Sequence, residues 1–263
     1  MGPHPGRAPE TGPSVSSPAV STTLPPSARL AWWGTAWLRG HVVTDLLIDA
    51  VLEDDATHAV VGLAGADGTE TLVTGLGRLR AAGAEGLGLA VPAEGDPVGL
   101  GGPRAFNDAA LEAGEAVVAI GAGAGLVPHR VGAAITWTAY AAERRQLPDV
   151  GDADRSLRAA LIDTADTLAR LDVARWRPEI ADRLMNLRHR HPLDAPDGVP
   201  PRCVDLAARG LQALEITDLA LDHEGGAVTA YEIEARRRAL VPLERAGRRA
   251  LVAACSPEVW PPG

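Results

Sequence analysis

Residues 117–126 read VVAIGAGAGL. An apolar run feeds three glycines at alternate positions, the look of a dinucleotide-binding phosphate turn. That fingerprint is G-x-G-x-x-G or G-x-G-x-x-A between a strand and a helix. Gly121 and Gly123 fit, but Leu126 stands at the third position and Gly125 comes one residue early. Glu143 does lie at the distance of a ribose-binding acid. The glycines lead into LVPHRVG, whose Pro128 and apolar residues predict a strand. Without a helix N-terminus there is no fan of free N–H groups for a pyrophosphate. The stretch therefore predicts the end of one strand, a glycine turn and the start of another.

Working outward, AITWTAYAA alternates Ile135, Trp137, Ala139 and Ala141 with Thr136, Thr138 and Tyr140, which is strand periodicity. Upstream, HAVVGL (58–63) and GLGLAV (86–91) read as strands, and Leu72, Val73, Leu76 and Leu79 between them have helical spacing. Strand, helix and strand suggest a βαβ unit with parallel strands. LAWWGTAWLRG (30–40) and TDLLIDAVLEDD (44–55) predict helices, the second with Thr44 as N-cap. FNDAALEAG (106–114) is a short helix. From Leu147 the pattern is helical: 152–172, 177–190, 202–221, and a last helix from a Thr229–Glu232 capping box toward Cys255, with Pro242 as a kink or break. The expected fold class is α+β. A mixed sheet with a βαβ unit and antiparallel strands precedes an α-helical part. Residues 1–27 are expected to form a disordered tail, 28–146 an α/β domain, 147–256 a helical region and 257–263 a C-terminal tail.

Composition narrows the chemistry. All 25 basic residues are arginine, which excludes a lysine-bearing phosphate loop, a Schiff-base lysine and a Ser–Lys dyad. A net charge of −9 argues against nucleic acid as a partner. Cys203 and Cys255 have neither zinc nor disulfide-framework spacing, and no metal or cofactor is expected. The first 28 residues lack an apolar signal core, and no run is long enough to cross a membrane, so a cytoplasmic location is expected.

The candidate ligand site is GDPVGLGGPRAFN (95–107). Gly99, Gly101 and Gly102 precede a helix; Arg104 could pair with an anion, and Asn107 could donate a hydrogen bond. The competing reading is a surface loop that needs glycine for its turns. The tryptophans Trp32, Trp33, Trp37 and Trp260 could line a partner surface or pack a helix on the sheet. Arginines of the helical part, including those in EARRR and ERAGRR, have acids four residues earlier, as in Asp154/Arg158, Glu234/Arg238 and Glu244/Arg248, which predicts solvated helix faces. His189 and His191 are two apart, unsuited to one helix face. Cys203, near a helix start, reads as a packing residue.

The stretches GDPVGLGGPRAFNDAALEAGEAVVAIGAGAGLVP, DVARWRPEIADRLMNLRHR and LVAACSPEVWPP resemble an uncharacterised protein type of high-GC actinobacteria. The resemblance implies no catalytic residue. The expectation is a non-enzymatic cytoplasmic protein that works by association with a protein partner or with another copy of itself. The alternative is a domain that binds a small molecule or anion on the Gly99–Asn107 loop and could act on it.

Overall fold

The computed structural model describes residues 23–143, 145–170, 192–221 and 230–261. The expected tail over 1–22, the helix over 177–190, His189, His191 and Thr229 of the capping box lie outside the described residues.

Helix α1 (Pro26–Leu38) begins inside the stretch assigned to the tail. Pro25 and Pro26 supply the start, because proline's fixed φ suits a first turn whose N–H groups are unpaired anyway. Its residues Ser27 to Ala36 are all buried, so α1 is a central helix without a solvent face. Trp32 lies wholly inside and donates from Nε1 to the Ala254 carbonyl at 3.1 Å. Helix α2 (Thr44–Leu52) is shallower, burying Leu47 and Val51. Its N-cap is Val43, not Thr44. Thr44 is already the first helical residue, and its hydroxyl accepts the Trp37 indole N–H at 3.1 Å.

The sheet strands are β1 (Thr57–Val61), β2 (Glu70–Thr71), β3 (Gly86–Ala90), β4 (Ala116–Ile120), β5 (Ala124–Val131) and β6 (Ala134–Ala141). Helix α3 (Leu72–Ala81) lies between β2 and β3, and α4 (Arg104–Ala113) between β3 and β4. The spatial order is β2-β1-β6-β5-β4-β3. VVAIGAGAGL is the β4–β5 hairpin, with Val117 opposite Leu126 and Ala119 opposite Ala124. Gly121 turns the chain at φ +90°, and a Cβ there would stand 2.5 Å from the Gly83 carbonyl oxygen. The sheet is mixed and a helical part comes after it, as expected. The parallel pair, however, is β1 with β6, not β1 with β3. Three antiparallel steps separate β6 from β3, so β1 and β3 run in opposite directions near opposite margins. The strand–helix–strand succession exists in the chain but does not form a parallel βαβ unit, because β6 takes the place beside β1.

Helices α5 (Val150–Arg170), α6 (Pro201–Leu221) and α7 (Ala230–Ala254) form the second part. Helix α7 continues through Pro242, whose side chain is exposed. On α5 the buried stripe is Val150, Ala153, Leu157, Ala160 and Thr164. One apolar core extends from α1 and one sheet face into α5–α7. A smaller core on the other sheet face lies under α4 and is centred on Phe106, against which Gly125 fits because a Cβ there would come within 2.5 Å of the ring.

Strand β3 forms a sheet margin, yet its outer groups are occupied. Thr35 Oγ1 accepts the Leu87 N–H at 2.9 Å and donates to the Leu87 carbonyl at 3.1 Å. The Leu89 N–H reaches the Cys255 carbonyl at 3.2 Å. Arg145, 2% exposed in its side chain, bonds the carbonyls of Leu89 and Gly99, the Ser256 hydroxyl at 3.0 Å and the Glu258 carboxylate at 3.2 Å. Such a charge is tolerable inside only when its donors are matched in this way.

Candidate functional site

Several backbone groups of the Gly99–Asn107 loop are engaged within the protein. Gly99 packs on Ala90, and its carbonyl accepts from Arg145 at 3.1 Å. The Gly102 N–H donates to Asn107 Oδ1 at 3.1 Å, and the Gly102 carbonyl accepts from the Glu143 N–H at 2.9 Å. Gly101 is exposed. Arg104 projects into solvent and pairs with Asp108 one turn later at 3.1 Å. The structure thus brings Gly102 and Asn107 together and turns Arg104 away toward Asp108.

The tryptophans are packing residues: Trp32 and Trp33 are buried, and Trp37 and Trp260 are partly covered. The Trp260 indole N–H donates to the Ala254 carbonyl at 2.9 Å. The arginine-rich helix is less solvated than its spacing suggests. Arg248 is buried, bound to Glu244 and to Asp96, and the buried Asp96 also receives Arg249 at 2.9 Å and Arg245 at 3.7 Å. Asp154/Arg158 and Glu234/Arg238 do form the expected one-turn pairs.

A concave site opens elsewhere, between α1, α2 and residues 192–194. It is a cavity of about 490 Å³. Arg29 and Trp33 face it from α1, one turn apart. From α2 come Leu46, Asp49, Ala50 and, just past its end, Glu53, at the i, i+3, i+4, i+7 spacing of a single helix face. Leu193 and Asp194 close the opposite side. The volume lies within the range of small-ligand and side-chain pockets.

Glu53 is the singular residue of this cavity. It comes after the last turn of α2 at φ 46°, ψ −113°, the positive-φ region that L-residues rarely occupy. Its N–H still closes the helix onto the Asp49 carbonyl at 3.1 Å. Its carboxylate pairs with Arg29, which also donates to the carbonyls of Val51 at 3.2 Å and Leu24 at 3.1 Å. Burial raises the Glu53 carboxyl above its ordinary pKa; Arg29 opposes this, and Asp54 and Asp55 add to it. Backbone strain of this kind costs about 1–3 kcal/mol and persists where surrounding contacts demand it.

Behind the cavity Asp55 gathers Arg29 at 3.5 Å, Arg130, and His58 Nε2 at 3.0 Å. The Trp137 indole N–H donates to His58 Nδ1 at 3.3 Å. Indole is a donor only, so Nδ1 is the acceptor and Nε2 carries the proton toward Asp55. Burial works against the Asp55 charge, but hydrogen bonds from Arg130 and His58 outweigh it and hold the carboxyl below its usual range. Burial also lowers the His58 pKa, more than Asp55 raises it. Arg29 is thus already matched by Glu53 and Asp55, and among the described lining residues the other charged side chains, Asp49 and Asp194, are acidic. Among the described residues no group of three or more His, Cys, Asp or Glu could hold a metal, and no helix is long and apolar enough to cross a membrane.

Sequence reasoning did not single out Arg29, Glu53, Asp55, His58 or Arg145. The face 46/49/50/53 was legible as a mixed polar and apolar stripe. Nothing in the sequence announced that Arg29 and Leu193 stand opposite it.

Comparison with known proteins gives two adjoining family matches. Residues 27–151 match the Rv1486c-like protein, N-terminal domain, and residues 151–252 match the Rv1486c-like protein, C-terminal domain. The chain is 27% identical over 295 aligned positions to the uncharacterized protein Rv1486c of Mycobacterium tuberculosis, covering 90% of this chain and 99% of that protein. It is 28% identical over 199 positions to the uncharacterized protein MAV321 of Mycobacterium avium, covering 60% of this chain and 65% of that one. No solved structure matches. The cavity takes Arg29 to Glu53 from the first matched region and residues 192–194 from the second.

Proposed function

Since the chain belongs to the Rv1486c-like family, whose two regions meet at the cavity, we propose that it is a non-enzymatic cytoplasmic protein that acts by association, with the cavity as its docking point. The observation that carries this reading is the outward face of α2. Leu46 is 54% exposed and lines the cavity, two turns before Glu53, which is held in a strained backbone conformation. A cavity with an exposed apolar side chain at its lip suits the anchor of a partner. The cytoplasmic assignment is supported by two free thiols, the state a reducing compartment maintains.

The test is a photo-crosslinking residue placed at Leu46, with a second at Val131 on the β5–β6 turn as control. Capture of a discrete protein, or of a second copy, from Leu46 alone is expected. Equal capture from both positions, or none from Leu46, would overturn the reading.

A second reading keeps the Gly99–Asn107 loop as an anion site. In its favour, α4 begins at Arg104 with no side-chain cap, and Arg104 itself is exposed beside that end. Thermal-shift measurements with nucleotides, acyl-CoA and sugar phosphates test it. Stabilisation that disappears in Arg104→Ala is expected, and a flat response to all three classes rejects it.

A further inference from the structure

We propose that the segment docking in the α1–α2 cavity carries an apolar side chain flanked by basic residues. This rests on the association reading of the same site and adds the chemistry of the partner.

Three observations converge. First, the described lining carries more acid than base: Asp49, Glu53 and Asp194 against Arg29. Second, Arg29, the one cation among the described lining residues, is already engaged. Arg29 has a side chain only 8% exposed and is held by two carboxylates and two carbonyls. Four of its five N–H groups are engaged, and an acidic partner would compete with those acceptors. Third, the floor is apolar: Leu24, Trp33, Ala50 and Leu193. A purely charged ligand would leave that surface without a counterpart, and an acidic segment would meet the rim carboxylates. A leucine-sized anchor with arginines on either side satisfies both regions, the side chain on the floor and the guanidinium groups against the rim.

The experiment uses the full chain labelled with 15N and three 12-residue peptides sharing a central Leu-Leu. One is flanked by arginines, one by glutamates and one by serines. The arginine peptide is expected to shift the amide signals of Leu46, Ala50, Glu53 and Leu193. Its binding should weaken roughly fivefold when Asp49→Asn and Asp194→Asn are combined, and further with added salt. Asp49 and Asp194 are exposed, so the variant should retain the native Tm. Leu46→Ser provides an independent loss of binding through the apolar anchor. Equal shifts from the glutamate or serine peptide, or an affinity indifferent to Asp49 and Asp194, would overturn the inference. If Leu46 crosslinks a partner while charge has no effect, the partner chemistry falls and the association reading stands. If the crosslink itself fails, the association reading falls with it.

Discussion

The hydroxyl of Thr35 on α1 takes the place of a neighbouring strand beside Leu87, accepting its N–H at 2.9 Å and donating to its carbonyl at 3.1 Å. A helix side chain thereby completes hydrogen bonds that a sheet margin would otherwise offer to another chain. Thr35→Val removes both bonds without changing size and leaves two buried backbone groups unmatched. It should cost about 2–4 kcal/mol, measured by urea unfolding, whereas Thr35→Ser should cost about 1 kcal/mol. Equal losses would show that packing, not the hydroxyl, secures the margin.

Glu53 reverses an ordinary rule. Alanine normally exceeds glycine in stability, but at φ 46° the Cβ is the source of the strain. Glu53→Gly should therefore be more stable than Glu53→Ala by about 1 kcal/mol. Both lose the contact with Arg29, so the difference isolates the backbone contribution. Alanine matching or exceeding glycine would remove strain from the account of this site.

His58 and Asp55 should each leave a mark on the pH profile, set against the opposite trend of Glu53, whose raised carboxyl pKa makes stability fall as pH rises through it. Burial lowers the His58 pKa below the 6.5 of a free imidazole, so the unfolded chain takes up that proton first. Stability then declines as pH falls below about 6.5 and levels off once it passes the folded value. Asp55 is held below 3.8, so its contribution is intact above that value and is lost as pH falls through the lower folded one. Urea midpoints for His58→Gln should flatten just below pH 6.5, while Arg130 still holds the Asp55 carboxyl low and preserves an acid limb. An unchanged slope in the upper window would exclude His58 as its origin.

Neither thiol should behave as a reactive cysteine. Burial pushes Cys203 to about 11 and Cys255 well above its ordinary value, overriding the helix start beside Cys203. Ellman's reagent at pH 8 should label the native protein only at its rate of opening, and both thiols at once in urea. Labelling of either within seconds in the native state contradicts this placement.

The elements were largely legible because they depend on local chemistry. Leu126 and Pro128 were enough to separate a hairpin from a cofactor turn, and the alternation from Ile135 to Ala141 specified β6. The partner of β1 was not legible. Its five residues suit β6 as well as β3, and the choice depends on how far the intervening hairpins carry the chain. The cavity was hidden for a related reason. Arg29, Glu53 and Leu193 come from three separate segments, and none has a motif of its own. Arg145 sits among polar neighbours and has no sequence pattern that marks it as interior; only Gly88, where a Cβ would stand 1.8 Å from its guanidinium, records the space it needs.

Arg145 gives the last described residues a weight out of proportion to their number. Ser256 and Glu258 hold its guanidinium, and Trp260 folds back on Ala254. These residues lie beyond the second family match, which ends at 252, yet they tie β3 to the end of α7. Expression vectors that append an affinity tag or reporter at this end would load the clasp, and a deletion made for convenience after Cys255 would open it. Fusions at the opposite end leave it untouched.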